Sequence, residues 1–153
     1  MNSGVRFACY MLIGLLLWLI FKPARADDTW LVTTVHSYHY DRSPSNRRCE
    51  SNWGVGAEHH VSNDWSLHGG MYRNSYCRGS AYLGTGWFPV HRGTVHFGIT
   101  AGIVNGYRQE PFGGYLIPTV SIQDKRWGVN IGIVPSLDSA FTVIGVQLKY
   151  RIR

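Results

Sequence analysis

Through most of the chain after residue 27, apolar residues fall on every second position. In Thr94–Val104, the residues Val95, Phe97, Ile99, Ala101 and Ile103 alternate with Thr94, His96, Gly98, Thr100 and Gly102. Trp127–Pro135 sets Trp127, Val129, Ile131 and Ile133 against Gly128, Asn130 and Gly132. The last segment sets Ile144, Val146, Leu148, Tyr150 and Ile152 against Gly145, Gln147, Lys149 and Arg151. Period two is the mark of a strand with two unlike faces. Eight such segments follow one another: Trp30–Tyr40, Asn52–Val61, Trp65–Ser75, Ser80–Phe88, Thr94–Val104, Tyr115–Gln123, Trp127–Pro135 and Ala140–Ile152. Each has about the length that a tilted membrane strand needs. The breaks form two sets. Asp41–Glu50, Tyr76–Gly79, Asn105–Gly114 and Ser136–Ser139 are loops on one side, and Ser62–Asp64, Pro89–Gly93 and Asp124–Arg126 are tight turns on the other.

The composition of the two faces decides which one is inside. A soluble sandwich or a lipocalin-type barrel turns its apolar face inward. Here the opposite face is rich in glycine, which cannot clothe a soluble surface but suits a crowded, narrow lumen. Trp30, Trp53, Trp65, Trp87 and Trp127 fall near strand ends, as aromatic girdles at two interfaces would. The expected fold is all-β: an eight-stranded antiparallel transmembrane β-barrel over residues 27–153, apolar side to lipid, both termini on the short-turn side. The ending Tyr150-Arg151-Ile152-Arg153 lacks the terminal aromatic of many outer-membrane strands.

The first 26 residues fit an export signal. Arg6 leads into the apolar run Phe7–Phe21, which ends at Lys22-Pro23 and the small-x-small triplet Ala24-Arg25-Ala26. A retained anchor is the alternative reading. Removal of this leader takes Arg6, Lys22 and Arg25 with it, so the formal charge of +6 falls to +3. That is weak ground for a nucleic-acid partner, and none is expected. Cys9 leaves with the leader. Cys49 and Cys77 remain as a pair on the loop side of an exported protein, which predicts a disulfide, with free thiols as the alternative. No metal motif and no cofactor motif is present.

Two clusters at strand tops carry candidate chemistry: His36-Ser37-Tyr38-His39-Tyr40-Asp41 and Met71-Tyr72-Arg73-Asn74-Ser75-Tyr76. A histidine beside a serine can draw off the hydroxyl proton as the oxygen attacks a carbonyl. The bland alternative is polar side chains at a membrane interface. Strict alternation places Asn74 inward and Ser75 outward with Met71, unless a bulge or a strand end near Arg73 turns Ser75 in. His59-His60 point to opposite faces of a strand and make a poor metal pair. Glu58, on the inner face, is expected to pair with Lys149 or Arg151. Arg42, Arg47, Arg48 and Arg78 gather on the outer loops, as a solvated rim or as contacts for lipopolysaccharide phosphates.

At these residues the chain resembles a family, the outer-membrane lipid A palmitoyltransferases. The resemblance runs from about Thr34 to Ile144. It includes His36 with Tyr40-Asp41, Trp53-Gly54-x-Gly56, Met71 to Tyr76, Leu83-Gly84-Thr85-Gly86-Trp87, His96 to Gly102, Ile117-Pro118 and Ile133-Val134-Pro135. It implies a barrel in the bacterial outer membrane that moves an acyl chain from a phospholipid to lipid A, the anchor of lipopolysaccharide. It implies further that His36 is the base, Ser75 the family's serine and Gly86 a glycine that measures the acyl chain. Pro118 and Pro135 would open gaps in the strand ladder for lipid to enter sideways. Asn74 stands where the family has its acid, with Asp41 as the alternative carboxylate. The spacing from His36 to Tyr40-Asp41 is one residue shorter than in the family, and the family's leading amphipathic helix is missing, Asp27-Asp28-Thr29 running straight into Trp30.

Two functional classes stay open at this point. One is a monomeric lipid-modifying enzyme, which needs an apolar slot below the level of His36 and Ser75. The other is a non-catalytic small barrel that alters the surface or blocks receptors through its loops, and it calls for a lumen plugged by polar contacts. The inner glycines Gly54, Gly56, Gly84, Gly86, Gly98 and Gly102 would leave room for the slot.

Overall fold

The computed structural model describes residues 28–39, 48–107, 112–134 and 143–152. The expected export signal, Asp41, Arg42, Arg47 and Pro135 lie outside the described residues. Eight strands follow in chain order: β1 (Thr29–His39), β2 (Gly54–His60), β3 (Trp65–Arg73), β4 (Gly79–Arg92), β5 (Val95–Asn105), β6 (Phe112–Gln123), β7 (Trp127–Val134) and β8 (Val143–Arg151). Each pairs antiparallel with its sequence neighbours, and β1 pairs with β8 to close the barrel. Closure leaves no sheet edge for a further strand to join.

Burial is inverted relative to a soluble domain. Only Trp30, Val32, Val61 and Phe88 are buried hydrophobics among the described residues, whereas Glu58, Lys149, Asn74, Asn130, Ser66 and Ser121 are buried polar ones. The outward face carries Leu31, Val55, Leu67, Met71, Leu83, Phe97, Ile103, Leu116, Ile133 and Leu148, all exposed. Such a continuous apolar band has no favourable solvent except lipid. Trp53, Trp65, Trp87 and Trp127 stand in this outward set, with Trp65 and Trp87 stacked at 6.0 Å. Trp30 departs from the girdle expectation. It points into the lumen, wholly buried, with Lys149 Nζ 5.0 Å and the Arg151 guanidinium 4.6 Å from its ring.

Two irregularities shape the strands. In β1, Thr34 pairs with Gln147 and His36 with Val146, so Val35 is an extra residue. Before this bulge the inward residues are Trp30, Val32 and Thr34; after it they are Ser37 and His39. In β4 the register shifts between Trp87 and Val90, and the strand continues to Arg92 where a turn at Pro89 was expected. Proline fits that bulge because a bulged position need not donate to the ladder. The chain reverses instead at Gly93, whose φ of 61° favours glycine.

The inner glycines serve aromatic rings. Gly102, Gly84 and His68 continue the register row that starts at Tyr115, and the Tyr115 hydroxyl lies over the two glycines to reach His68. A Cβ on Gly56 would sit 2.6 Å from the Tyr82 hydroxyl, and one on Gly86 would sit 2.6 Å from the Phe88 ring. The room expected for a slot at Gly56, Gly84, Gly86 and Gly102 is therefore taken by rings laid flat on the wall.

Candidate functional site

The lumen is divided. It is closed part-way by a polar network around Glu58, and a separate cavity of about 520 Å³ lies at the tight-turn end, between residues such as His60, His96 and Gln123. Lys149 Nζ donates to Glu58 Oε1 at 2.8 Å, Asn130 Nδ2 donates to Oε2 at 2.9 Å, and His60 Nε2 lies 2.7 Å from Oε1. Ser121 Oγ donates to Asn130 Oδ1 at 2.7 Å. A buried charge pair is tolerable only with its remaining lone pairs satisfied, and this one has them satisfied. The sequence-based pairing of Glu58 with Lys149 is observed. Arg151 pairs instead with Asp28, at 3.2 Å.

Above this plug lies a cavity of about 550 Å³ that reaches the loop end of the barrel. One wall carries the rings of Tyr72, Tyr82, Tyr107 and Tyr115. The other is low and apolar, with Gly132, Gly145, Val134 and Val146. Its size is that of a small-molecule or single-chain lipid site.

At the mouth, His39 and Ser75 meet: His39 Nε2 is 2.9 Å from Ser75 Oγ. This contact depends on both irregular strand ends. The β1 bulge turns His39 inward, and β3 stops at Arg73, which frees Ser75 to point across rather than follow the alternation. A strip of chain between β1 and β2 holds the two together. Cys49 N donates to Ser75 O at 2.9 Å, Ser37 N donates to Glu50 O at 2.9 Å, and His39 N donates to Glu50 Oε1 at 3.3 Å. Cys49 is bonded to Cys77, so the strip is tied covalently to the β3–β4 turn. Arg48 stacks on Tyr76 at 4.4 Å, bringing a guanidinium to the rim. His39 Nδ1 is buried and has no hydrogen-bond partner among the described residues.

The residues singled out from sequence take different places. Ser75 is at the mouth. The bulge takes His36 out of the inward alternation: it is exposed, forms an isolated backbone bridge with Ser51, and borders the cavity at its rim without a hydrogen bond to Ser75 among the described residues. Asn74 is wholly buried and organises the β3–β4 turn. Its Nδ2 donates to Ser80 Oγ and Gly106 O, both at 2.9 Å, and its Oδ1 accepts from Tyr76 N at 2.9 Å and Arg78 N at 3.1 Å. With both ends occupied, Asn74 has no hydrogen bond to a histidine among the described residues. Gly86 lies beneath the cavity, against Phe88 and Ser66. Pro118 marks the end of a ladder: β6 and β7 pair from Gln123↔Gly128 to Thr119↔Gly132 and no further. Beyond it, among the described residues, Phe112–Pro118 of β6 pairs with β5 alone. Between β1 and β2 the ladder likewise stops at Val32↔Gly56. His39 and Glu50 were missed from sequence. Their signal was the second histidine of His36-Ser37-Tyr38-His39, and the carboxylate next to a cysteine.

No protein-family profile and no curated protein matches the chain. Among solved structures it is similar to a de novo designed transmembrane β-barrel, at 15% identity and TM-score 0.59, over 82% of this chain and 97% of that one. It is also similar to the N-terminal β-barrel domain of Pseudomonas aeruginosa OprF, at 7% identity and TM-score 0.53, over 82% of this chain and 98% of that domain. Both likenesses concern the fold. They agree with the inverted burial: this is a membrane β-barrel of the outer-membrane type.

Proposed function

We propose that the protein is a lipid acyltransferase of the bacterial outer membrane, taking an acyl chain from a phospholipid and giving it to lipid A in the outer leaflet. The observation that carries this reading is the His39–Ser75 contact at the mouth of a ring-lined cavity. A base and a hydroxyl 2.9 Å apart have the geometry of an activated nucleophile. The cavity below gives an acyl chain a place out of water. The end of the β6–β7 ladder beside Pro118 gives a lateral route through the wall from the membrane.

In this reading Ser75 Oγ attacks the donor ester carbonyl while His39 Nε2 takes its proton. The acyl C–O bond breaks, and His39 returns the proton to the departing lysophospholipid oxygen. A lipid A hydroxyl then attacks the acyl-serine, again through His39, which closes the cycle with one ester broken and one formed. Glu50 is the carboxylate placed to stabilise the charged imidazole, in the role the resemblance would give to Asn74 or Asp41. Arg48, at the rim, suits a phosphate of either lipid.

The Glu58–Lys149 plug favours the second reading, a non-catalytic surface barrel, since a filled lumen serves rigidity as well. Lipid A mass spectrometry separates the two. Cells with the protein should carry an added acyl chain that is missing from cells with Ser75→Ala. Identical lipid A in both would reject the enzyme.

A further inference from the structure

The geometry points to a second activity, passage of protons along the barrel axis through a single hydrogen bond between Glu58 and His60. Two cavities enter the lumen, one of about 550 Å³ from the loops and one of about 520 Å³ from the tight turns, and no described residue lines both. Glu58 lines the first and His60 the second, and His60 Nε2 lies 2.7 Å from Glu58 Oε1. One carboxylate and one imidazole in contact therefore cross the barrier between the cavities. Titratable groups continue the line on both sides. His68, the β3 register partner of Glu58, lines the loop-end cavity. His91 and His96 pair across β4 and β5 with their rings 4.4 Å apart, and both line the tight-turn cavity. There His91 Nε2 lies 2.9 Å from Asp64 Oδ1. Two buried polar atoms of the barrier itself lack partners among the described residues. They are Ser66 Oγ, on the register partner of His60, and Trp30 Nε1, whose ring lies 6.5 Å from that of His60. A buried hydroxyl or indole N–H ordinarily has a partner, so each offers a water molecule a hydrogen bond in this layer.

The same barrier refuses larger ions. Lys149 Nζ, fully buried, donates to Glu58 Oε1, and Asn130 holds the other carboxylate oxygen, so an ion would have to shed its water to pass. A proton needs only the hydrogen bond. His60 takes one from the tight-turn cavity at the ring nitrogen away from Glu58 and releases the one on Nε2 to Glu58 Oε1. The carboxylic acid gives it up to water in the loop-end cavity, and a flip of the ring restores the first tautomer. One proton enters and one leaves, in either direction. Neither step uses His39 or Ser75, so the activity is independent of the acyltransferase reading.

The test uses the full mature barrel in phosphatidylcholine liposomes that enclose pyranine and potassium, with valinomycin setting an inside-negative potential. Native protein should acidify the interior faster than it acidifies in protein-free liposomes. Loss of a positioned proton carrier costs about a hundredfold, so His60→Asn and Glu58→Gln should each fall to the protein-free rate. Glu58→Gln joined to Lys149→Met breaks the same link without leaving a buried charge, and it replaces Glu58→Gln if that variant loses its heat-modifiable band. His59→Asn, on the outer face of the same strand, should keep the native rate. A native rate no higher than that of protein-free liposomes, or a native rate in folded His60→Asn, overturns the proton path. Stepwise currents through native protein in potassium chloride, across a planar bilayer, would overturn it in favour of an open pore.

Discussion

At the scale of single residues, the choice between His36 and His39 turns on one inserted residue. A regular strand would have put His36 on the inner face with Trp30, Val32 and Thr34. The extra Val35 reverses the parity, and His39 reaches Ser75. Nothing in Val35 itself announces a bulge, since β-branched residues suit regular strands equally well, so this was not legible in the sequence. Ser75 was legible as a candidate, and the escape from alternation at Arg73 was one of two routes the pattern allowed. The expected outcome is that His39→Ala and Ser75→Ala each abolish acyl transfer without adding to one another, because residues that act as a unit are non-additive. His36→Ala should keep activity within a few-fold of native; loss equal to that of His39→Ala would return the base to His36. Asn74→Asp follows the same logic. Had Asn74 stood beside the histidine, a carboxylate would help. With its amide donating to Ser80 and Gly106 O, the change sets a negative charge against two acceptors and should destabilise the turn by about 1–3 kcal/mol. A lower denaturant midpoint of the refolded barrel, without gain in transfer, is the expected readout.

At the scale of elements, all eight strands were legible because lipid demands an apolar outward face on each one, which keeps the period-two signal strong. The ends were less so. Pro89 reads as a turn but lies within β4, because a bulge spared its missing N–H. The six inner glycines read as empty space, whereas rings from neighbouring strands occupy most of it. Sequence alternation gives the face of a ring but not the direction in which it lies. The strip that holds His39 to Ser75 is an element in its own right, and the Cys49–Cys77 bond fixes it. The bond spans 28 residues. Its loss should cost roughly 3–4 kcal/mol on the chain-entropy account. The double variant Cys49→Ser, Cys77→Ser should still migrate as a folded barrel in an unheated detergent gel, yet lose most of its transfer activity as Ser75 drifts from His39. Full activity in that variant would show that the strip holds its place without the bond.

At the scale of the whole molecule, the barrel has two lumens in sequence, and they answer opposite needs. Between the cavity at the tight turns and the one at the loops, the passage is closed by the buried charges of Glu58 and Lys149. The half near the loops is open and ring-lined. The sequence marked Glu58 as the partner of Lys149 or Arg151, since opposite charges on the inner faces of a narrow barrel have nowhere else to go. It could not show that they stop the lumen halfway, because that depends on how Asn130, His60 and Trp30 crowd around them. The plug therefore stiffens the barrel and bounds the loop-end cavity from below. Lys149→Met alone leaves the Glu58 carboxylate buried without its cation, and removing one partner of a buried pair costs about 3–5 kcal/mol. Glu58→Gln joined to Lys149→Met removes both charges and should recover much of that loss. Urea titration of the barrel in detergent, followed by the loss of the heat-modifiable band, measures both variants. If the double variant is as unstable as Lys149→Met alone, packing rather than charge pairing holds the plug. If the single variant costs nothing, Glu58 is reached by water.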